Sequence, residues 1–128
     1  MIGLLLITHG NLAASLVHCA SHVLGRNPEQ LLTLSAGHDE PREEIEAALR
    51  QGIAQLDQGE GVLVLTDLFG ATPCNLAQGV MVAGKVAGVA GVSLPMLLRA
   101  INYRHLPLAE LQAKVLAAGA DCTAALGS

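Results

Sequence analysis

Two apolar runs constrain this chain more than anything else in it. Residues 2–8 (IGLLLIT) and 61–67 (GVLVLTD) are hydrophobic at nearly every position rather than at alternate ones. That is the pattern of strands buried on both faces of a parallel sheet. Each run closes on polar residues at its carboxyl end, the first on Thr8-His9-Gly10-Asn11 and the second on Asp67. Parallel strands need crossover connections, and the stretches between the runs carry helical periodicity.

Beginning at Leu12, the residues Leu12, Leu16, Cys19, Ala20 and Val23 recur on one helical face until Gly25 stops the pattern. A short second strand covers residues 31–35. Asp39-Glu40-Pro41 opens a second helix, whose apolar face is Ile45, Leu49, Gly52, Ile53 and Leu56, and Gly59 and Gly61 end it. After the second run, Gly70-Ala71-Thr72-Pro73 turns the chain into a third helix, with Thr72 expected as N-cap and Pro73 at the first helical position. Residues 85–93 read as a fourth strand, 94–100 and 108–118 as helices, and 120–126 as a last short strand. The whole is one α/β domain, residues 1–128, with helices on both faces of an open, mainly parallel sheet. In the flavodoxin-like strand order 2-1-3-4 the first and third strands are neighbours. The chain leaves them in opposite directions, which opens a crevice at their carboxyl ends.

That order brings together His9 and Asp67, which are far apart in sequence. A neutral imidazole has one nitrogen free to attack and one carrying a proton. A carboxylate that accepts the second nitrogen's proton fixes the tautomer, orients the ring and stabilises the cation formed on attack. Phosphoryl chemistry also needs donors to the equatorial oxygens. The Thr72 hydroxyl and the N–H groups of Gly70, Ala71 and Thr72 are candidates, as are those following His9, and glycines at 10 and 70 permit close backbone approach. Read singly, His9 could be an idle loop histidine, Asp67 a cap for the next turn, Gly70 a turn residue, and Thr72 only an N-cap.

Composition narrows the classes. Hydrophobic residues make up 52% of the 128, and mean hydropathy is +0.48, yet no apolar run reaches the roughly 18 residues of a membrane span. No basic segment precedes the first apolar run, so no signal peptide is expected. A formal charge of −4 without a Lys/Arg cluster speaks against nucleic acid. Three cysteines without paired spacing fit a reducing, cytoplasmic setting. Aromatics at 2% leave little to sandwich a flavin, and no cofactor is expected. His18 and His22 have the spacing of two metal ligands on one helix, but no third ligand stands nearby, and Cys19 between them falls on the apolar stripe. No metal is expected. His38 and His105 read as solvated loop residues, and Cys74 as a packed thiol.

Three motifs in order carry a family resemblance. Thr8-His9-Gly10 follows the first strand, Asp67-Leu68-Phe69-Gly70-Ala71-Thr72-Pro73-Cys74-Asn75 the third, and Gly91-Val92-Ser93-Leu94-Pro95-Met96-Leu97 the fourth. Across essentially its whole length the chain resembles the enzyme IIA domain of the mannose-type sugar phosphotransferase system. The resemblance implies a phosphotransferase component in which His9 takes a phosphoryl group from phospho-HPr, with Asp67 as orienting carboxylate. It implies transfer onward to a IIB component, an indirect link to a membrane permease, and a homodimer with the fifth strand at its interface. Thr72 stands where Ser is expected, and Asn11 and Phe69 where larger aromatics occur. A related dihydroxyacetone kinase module resembles His-Ser and Asp-Leu-Gly-Ser at these places, a poorer fit. Two alternatives stay open: a stand-alone regulatory phosphohistidine module without transport, and a non-covalent ligand- or metal-binding flavodoxin-like protein.

Overall fold

The computed structural model describes residues 1–37 and 39–127. Four parallel strands, β1 (Gly3–His9), β2 (Leu31–Ala36), β3 (Val62–Thr66) and β4 (Val86–Ala90), form one sheet in the order β2-β1-β3-β4. The crossovers are α1 (Leu12–Leu24), α2 (Arg42–Leu56) and α3 (Thr72–Gln78), followed after β4 by α4 (Leu94–Tyr103) and α5 (Leu108–Asp121). The expected strand order and the two-faced burial are both found.

Alternation along β1 explains the continuous apolar run. Leu4 and Leu6 join Leu63 and Leu65 of β3 in a core with α1, α4 and α5. Leu5 and Ile7 point the other way, with Val62 and Val64, into a second core with Ile45, Leu49 and Leu56 of α2 and Leu76 and Ala77 of α3. Both faces are covered, so polar residues enter these strands only at their carboxyl ends. Arg104, at the end of α4, is buried and closes the opposite end of the sheet. Its guanidinium donates to the carbonyls of Ile2 (2.7 and 2.9 Å) and Gln30 (2.6 Å) and to that of Glu29. Burial pushes its pKa down to about 10, which leaves it cationic at neutral pH.

Several local readings are corrected. The inward face of α1 is Ala13, Leu16, Val17, Ala20 and Leu24, whereas Leu12, Cys19 and Val23 are exposed. Small residues lie where this helix comes nearest the sheet. Ala71, extended, caps α3, so Thr72 is already helical and its side chain caps nothing. The Ala71 N–H donates to the Leu68 carbonyl in a turn that moves the helix entry forward by a residue. Pro41 precedes α2, whose first-turn acids are Glu43 and Glu44 rather than Asp39 and Glu40. At the other end of the chain, α5 continues through Asp121. Residues 123–127 are exposed and outside the sheet, so the single chain has four strands among the described residues. No helix of the described residues is long and apolar enough to cross a membrane.

Candidate active site

His9 is the last residue of β1, and Asp67 follows the last residue of β3. Because Ile7 pairs with Thr66, the two side chains emerge side by side at the carboxyl edge of the sheet. The contact is double. Asp67 Oδ2 lies 2.8 Å from His9 Nδ1 and accepts the His9 backbone N–H at 3.1 Å. Asp67 is therefore held by His9 and does not serve as a cap. Burial alone would raise the Asp67 carboxyl pKa. The hydrogen bonds from the His9 ring and backbone, and from its own N–H, more than offset this and hold it below its usual value.

An ionised carboxylate can only accept, so the proton of the short contact belongs to His9 Nδ1. In the neutral ring the lone pair is then on Nε2. The side chain of His9 is 46% exposed against 12% for Asp67, so the imidazole can be reached while its partner is sheltered.

Beneath the histidine, Thr8 is fully buried. Its hydroxyl accepts the Ala13 N–H at 2.8 Å and donates to the His9 carbonyl at 3.3 Å. Thr8 thus ties the first turn of α1 to the end of β1. In the sequence Thr8 stands out as a hydroxyl closing an otherwise apolar run and as part of the Thr8-His9-Gly10 motif, but neither reveals this tie to α1.

His9 opens onto a pocket of about 300 Å³ whose wall includes Thr72 and Pro73 of α3, and Glu40 and Arg42 at the start of α2. Thr72 therefore shares a pocket with His9. Gly10, Gly70 and Ala71 lie outside its lining, although Gly10 (φ +50°) and Gly70 (φ +86°) both take the left-handed backbone that turns the chain away from the strand ends. The Ala71 N–H is committed to Leu68. Arg42 was not singled out by sequence reasoning, since a charged residue in a first helical turn carries no mark of what it faces. Leu68 and Phe69, on the loop after Asp67, and Leu12 beside His9 are exposed.

Cys74, His18, His22 and His105 are not in the lining of this pocket. Cys74 is buried. His18 and His22 are exposed along α1 with Cys19, and the described residues contain no cluster of three or more metal-ligating side chains. His105 stacks on Tyr103 with ring centroids 6.4 Å apart. His38 lies outside the described residues. A larger cavity, about 490 Å³, is lined by β4 and by residues of α3 and α5, with Thr66, Gln78 and Gln112 in its wall.

Residues 3–116 match the profile of the family described as the PTS system fructose IIA component, EIIA-man. The chain belongs to this family. It is a mannose-type IIA component of the phosphoenolpyruvate-dependent sugar phosphotransferase system (PTS). The fructose-specific EIIA component of Bacillus subtilis is 27% identical to this IIA chain over 113 residues, covering 87% of it and 77% of that protein. Among solved structures, the mannose/sorbose-specific IIA subunit of Enterococcus faecalis superposes with a TM-score of 0.88 at 23% identity, covering 99% of this chain and 96% of that one. A PTS IIA protein associated with the fucose utilization operon of Streptococcus pneumoniae gives 0.76 at 28% identity, covering 88% and 87%.

Proposed function

We propose that this IIA component carries a phosphoryl group on His9 Nε2, taken from phospho-HPr and passed to a IIB component. The observation that carries the reading is the Nδ1···Asp67 contact of 2.8 Å, which leaves Nε2, on a half-exposed side chain, without a hydrogen bond among the described residues. In the transfer the Nε2 lone pair forms the new N–P bond as the donor's bond to phosphorus breaks, and the donor's leaving atom keeps that electron pair. No proton need move, because Nδ1–H is already paired with Asp67. The positive charge that develops on the ring faces the carboxylate. Gly10, Gly70 and Thr72 remain the backbone and hydroxyl candidates for the phosphoryl oxygens, the Ala71 N–H being taken by the Leu68 carbonyl. Thr72 has the best support of these, since it lines the pocket with His9.

Exposed Leu12, Leu68 and Phe69 around the histidine suit protein partners that must dock and leave. A homodimer is supported by the position of β4 at the edge of the sheet, the cavity beside it, and an exposed C-terminal segment that includes Ala124-Ala125-Leu126. Operation in the cytoplasm, upstream of a membrane permease, completes the reading.

The test is intact mass after incubation with enzyme I, HPr and phosphoenolpyruvate, beside His9→Ala. One acid-labile phosphoryl group, absent from the variant, is the expected result. No mass shift with active HPr from the same source would overturn the reading in favour of a non-covalent ligand-binding role.

A further inference from the structure

Arg42 occupies the first position of α2, in the wall of the pocket that His9 opens onto. The fold brings it there. His9 pairs with Ala36 at the end of β2, and the chain leaving β2 comes back to the same pocket at Glu40 and Arg42. Arg50 pairs with Glu46, Arg99 with Asp121, and Arg104 with backbone carbonyls, while Arg26 forms no such pair among the described residues and lies outside the lining of this pocket. Arg42 forms none of the ion pairs found among the described residues.

The charges around Nε2 make this cation consequential. Glu40 lies in the same wall, with its Oε1 against Gly37, where a Cβ would meet it at 3.2 Å. Asp67 is ionised behind the ring. A phosphoryl group brings a further charge of about −1.5 to −2. Without Arg42 the phosphorylated pocket would set that dianion against two carboxylates. A guanidinium presents a planar fork that fits two phosphoryl oxygens, and charge-assisted bonds of this kind are the strong ones.

We infer that Arg42 holds the phosphoryl group carried by His9, so that the pocket between α2 and α3 is a phosphoryl cradle with its own cation. The inference rests on His9 being the phosphorylated residue. Arg42 is thereby a phosphoryl-binding residue that favours the charged state of the carrier over the free one.

An exposed arginine near a docking surface could instead contact HPr, and thermodynamics separates the two roles. A docking contact changes the transfer rate in both directions and leaves the equilibrium between free species alone. A contact with the phosphoryl group changes that equilibrium. The experiment mixes phospho-HPr with wild type, Arg42→Gln and Arg42→Lys, and reads all four free species by intact mass at equilibrium.

Arg42→Gln is expected to lower the equilibrium constant for phosphorylation about tenfold, a loss of one charge-assisted contact discounted for its exposure. Arg42→Lys, which keeps the charge without the fork, falls between it and wild type. An Arg42→Gln equilibrium constant equal to wild type overturns the inference, even if the rate falls, and reassigns Arg42 to docking. Absence of phosphorylation in the wild type overturns the underlying reading of His9 instead.

Discussion

Replacing Asp67 by Asn separates the orientation of His9 from the charge beside it. In the native site one carboxylate oxygen, Oδ2, accepts both the ring Nδ1–H and the backbone N–H of His9, at 2.8 and 3.1 Å. The other, Oδ1, takes neither of these two donors. Asn has a single terminal acceptor, and two donors converge on one place, so the amide oxygen must take it. The ring tautomer therefore survives and Nε2 stays bare. What disappears is the negative charge facing a ring that becomes positive as Nε2 bonds to phosphorus.

A full charge pair about 4 Å apart is worth about 1 kcal/mol in water and about 4 kcal/mol at an effective dielectric near 20. With His9 46% and Asp67 12% exposed, the site lies between those limits. About 2–3 kcal/mol is the working figure, a slowing of about 30- to 150-fold. Asp67→Ala removes the tautomer's anchor as well and should be slower still. Rapid-quench measurement of transfer from phospho-HPr distinguishes the variants. An Asn variant within about threefold of wild type, or one as slow as the Ala variant, would refute this division between charge and orientation.

The same carboxylate should leave a pH signature. Its folded pKa lies below the usual 3.8, so the stability it contributes is fully present above that value and is lost as pH falls through the folded value. Urea titrations should show the gap between wild type and Asp67→Asn shrinking as pH falls below about 4, and a gap that does not shrink there would sink the argument. Arg104→Met should cost about 3 kcal/mol, because it leaves the Ile2, Glu29 and Gln30 carbonyls short of a donor in a buried place. Calorimetry should register a fall in Tm of about 10 °C, and a shift under about 2 °C would mean the carbonyls find water. Thr8→Val preserves shape but leaves the buried Ala13 N–H unpaired. It should destabilise by about 1–2 kcal/mol and speed hydrogen exchange at Ala13, whereas unchanged exchange there would contradict a capping role.

The strand order and the meeting of His9 with Asp67 were legible because burial on both faces writes itself along a strand as unbroken apolarity. Residues 2–8 and 61–67 therefore read as central strands, and the flavodoxin-like order makes them neighbours whose polar ends share an edge. The face of α1 was not legible in the same way. Hydropathy weights large side chains, but where a helix comes close to a sheet it is small ones, Ala13 and Ala20, that are buried, while Leu12 and Val23 remain exposed. The cap of α3 was misplaced because the turn bond from Ala71 to Leu68 decides where that helix begins, and no residue type announces such a bond. Arg42 was invisible for a related reason. Its place beside His9 depends on how the crossover from β2 returns to the edge of the sheet.

Thr8 and Asp67 could have been read together from one requirement. At the carboxyl end of a strand covered on both faces, a buried polar side chain must find a partner nearby or destabilise the fold. Thr8 meets this through the first turn of the next helix, a local and structural solution. Asp67 had the same option, since its own loop leads into α3, yet its Oδ2 takes both of its hydrogen bonds from one residue on a neighbouring strand. A cap would satisfy Asp67 with its own chain and leave His9 free to turn. The arrangement found does the reverse: it commits Oδ2 to one imidazole and to the backbone N–H of the same residue. That preference is the physical ground for treating the pair as chemistry rather than as packing.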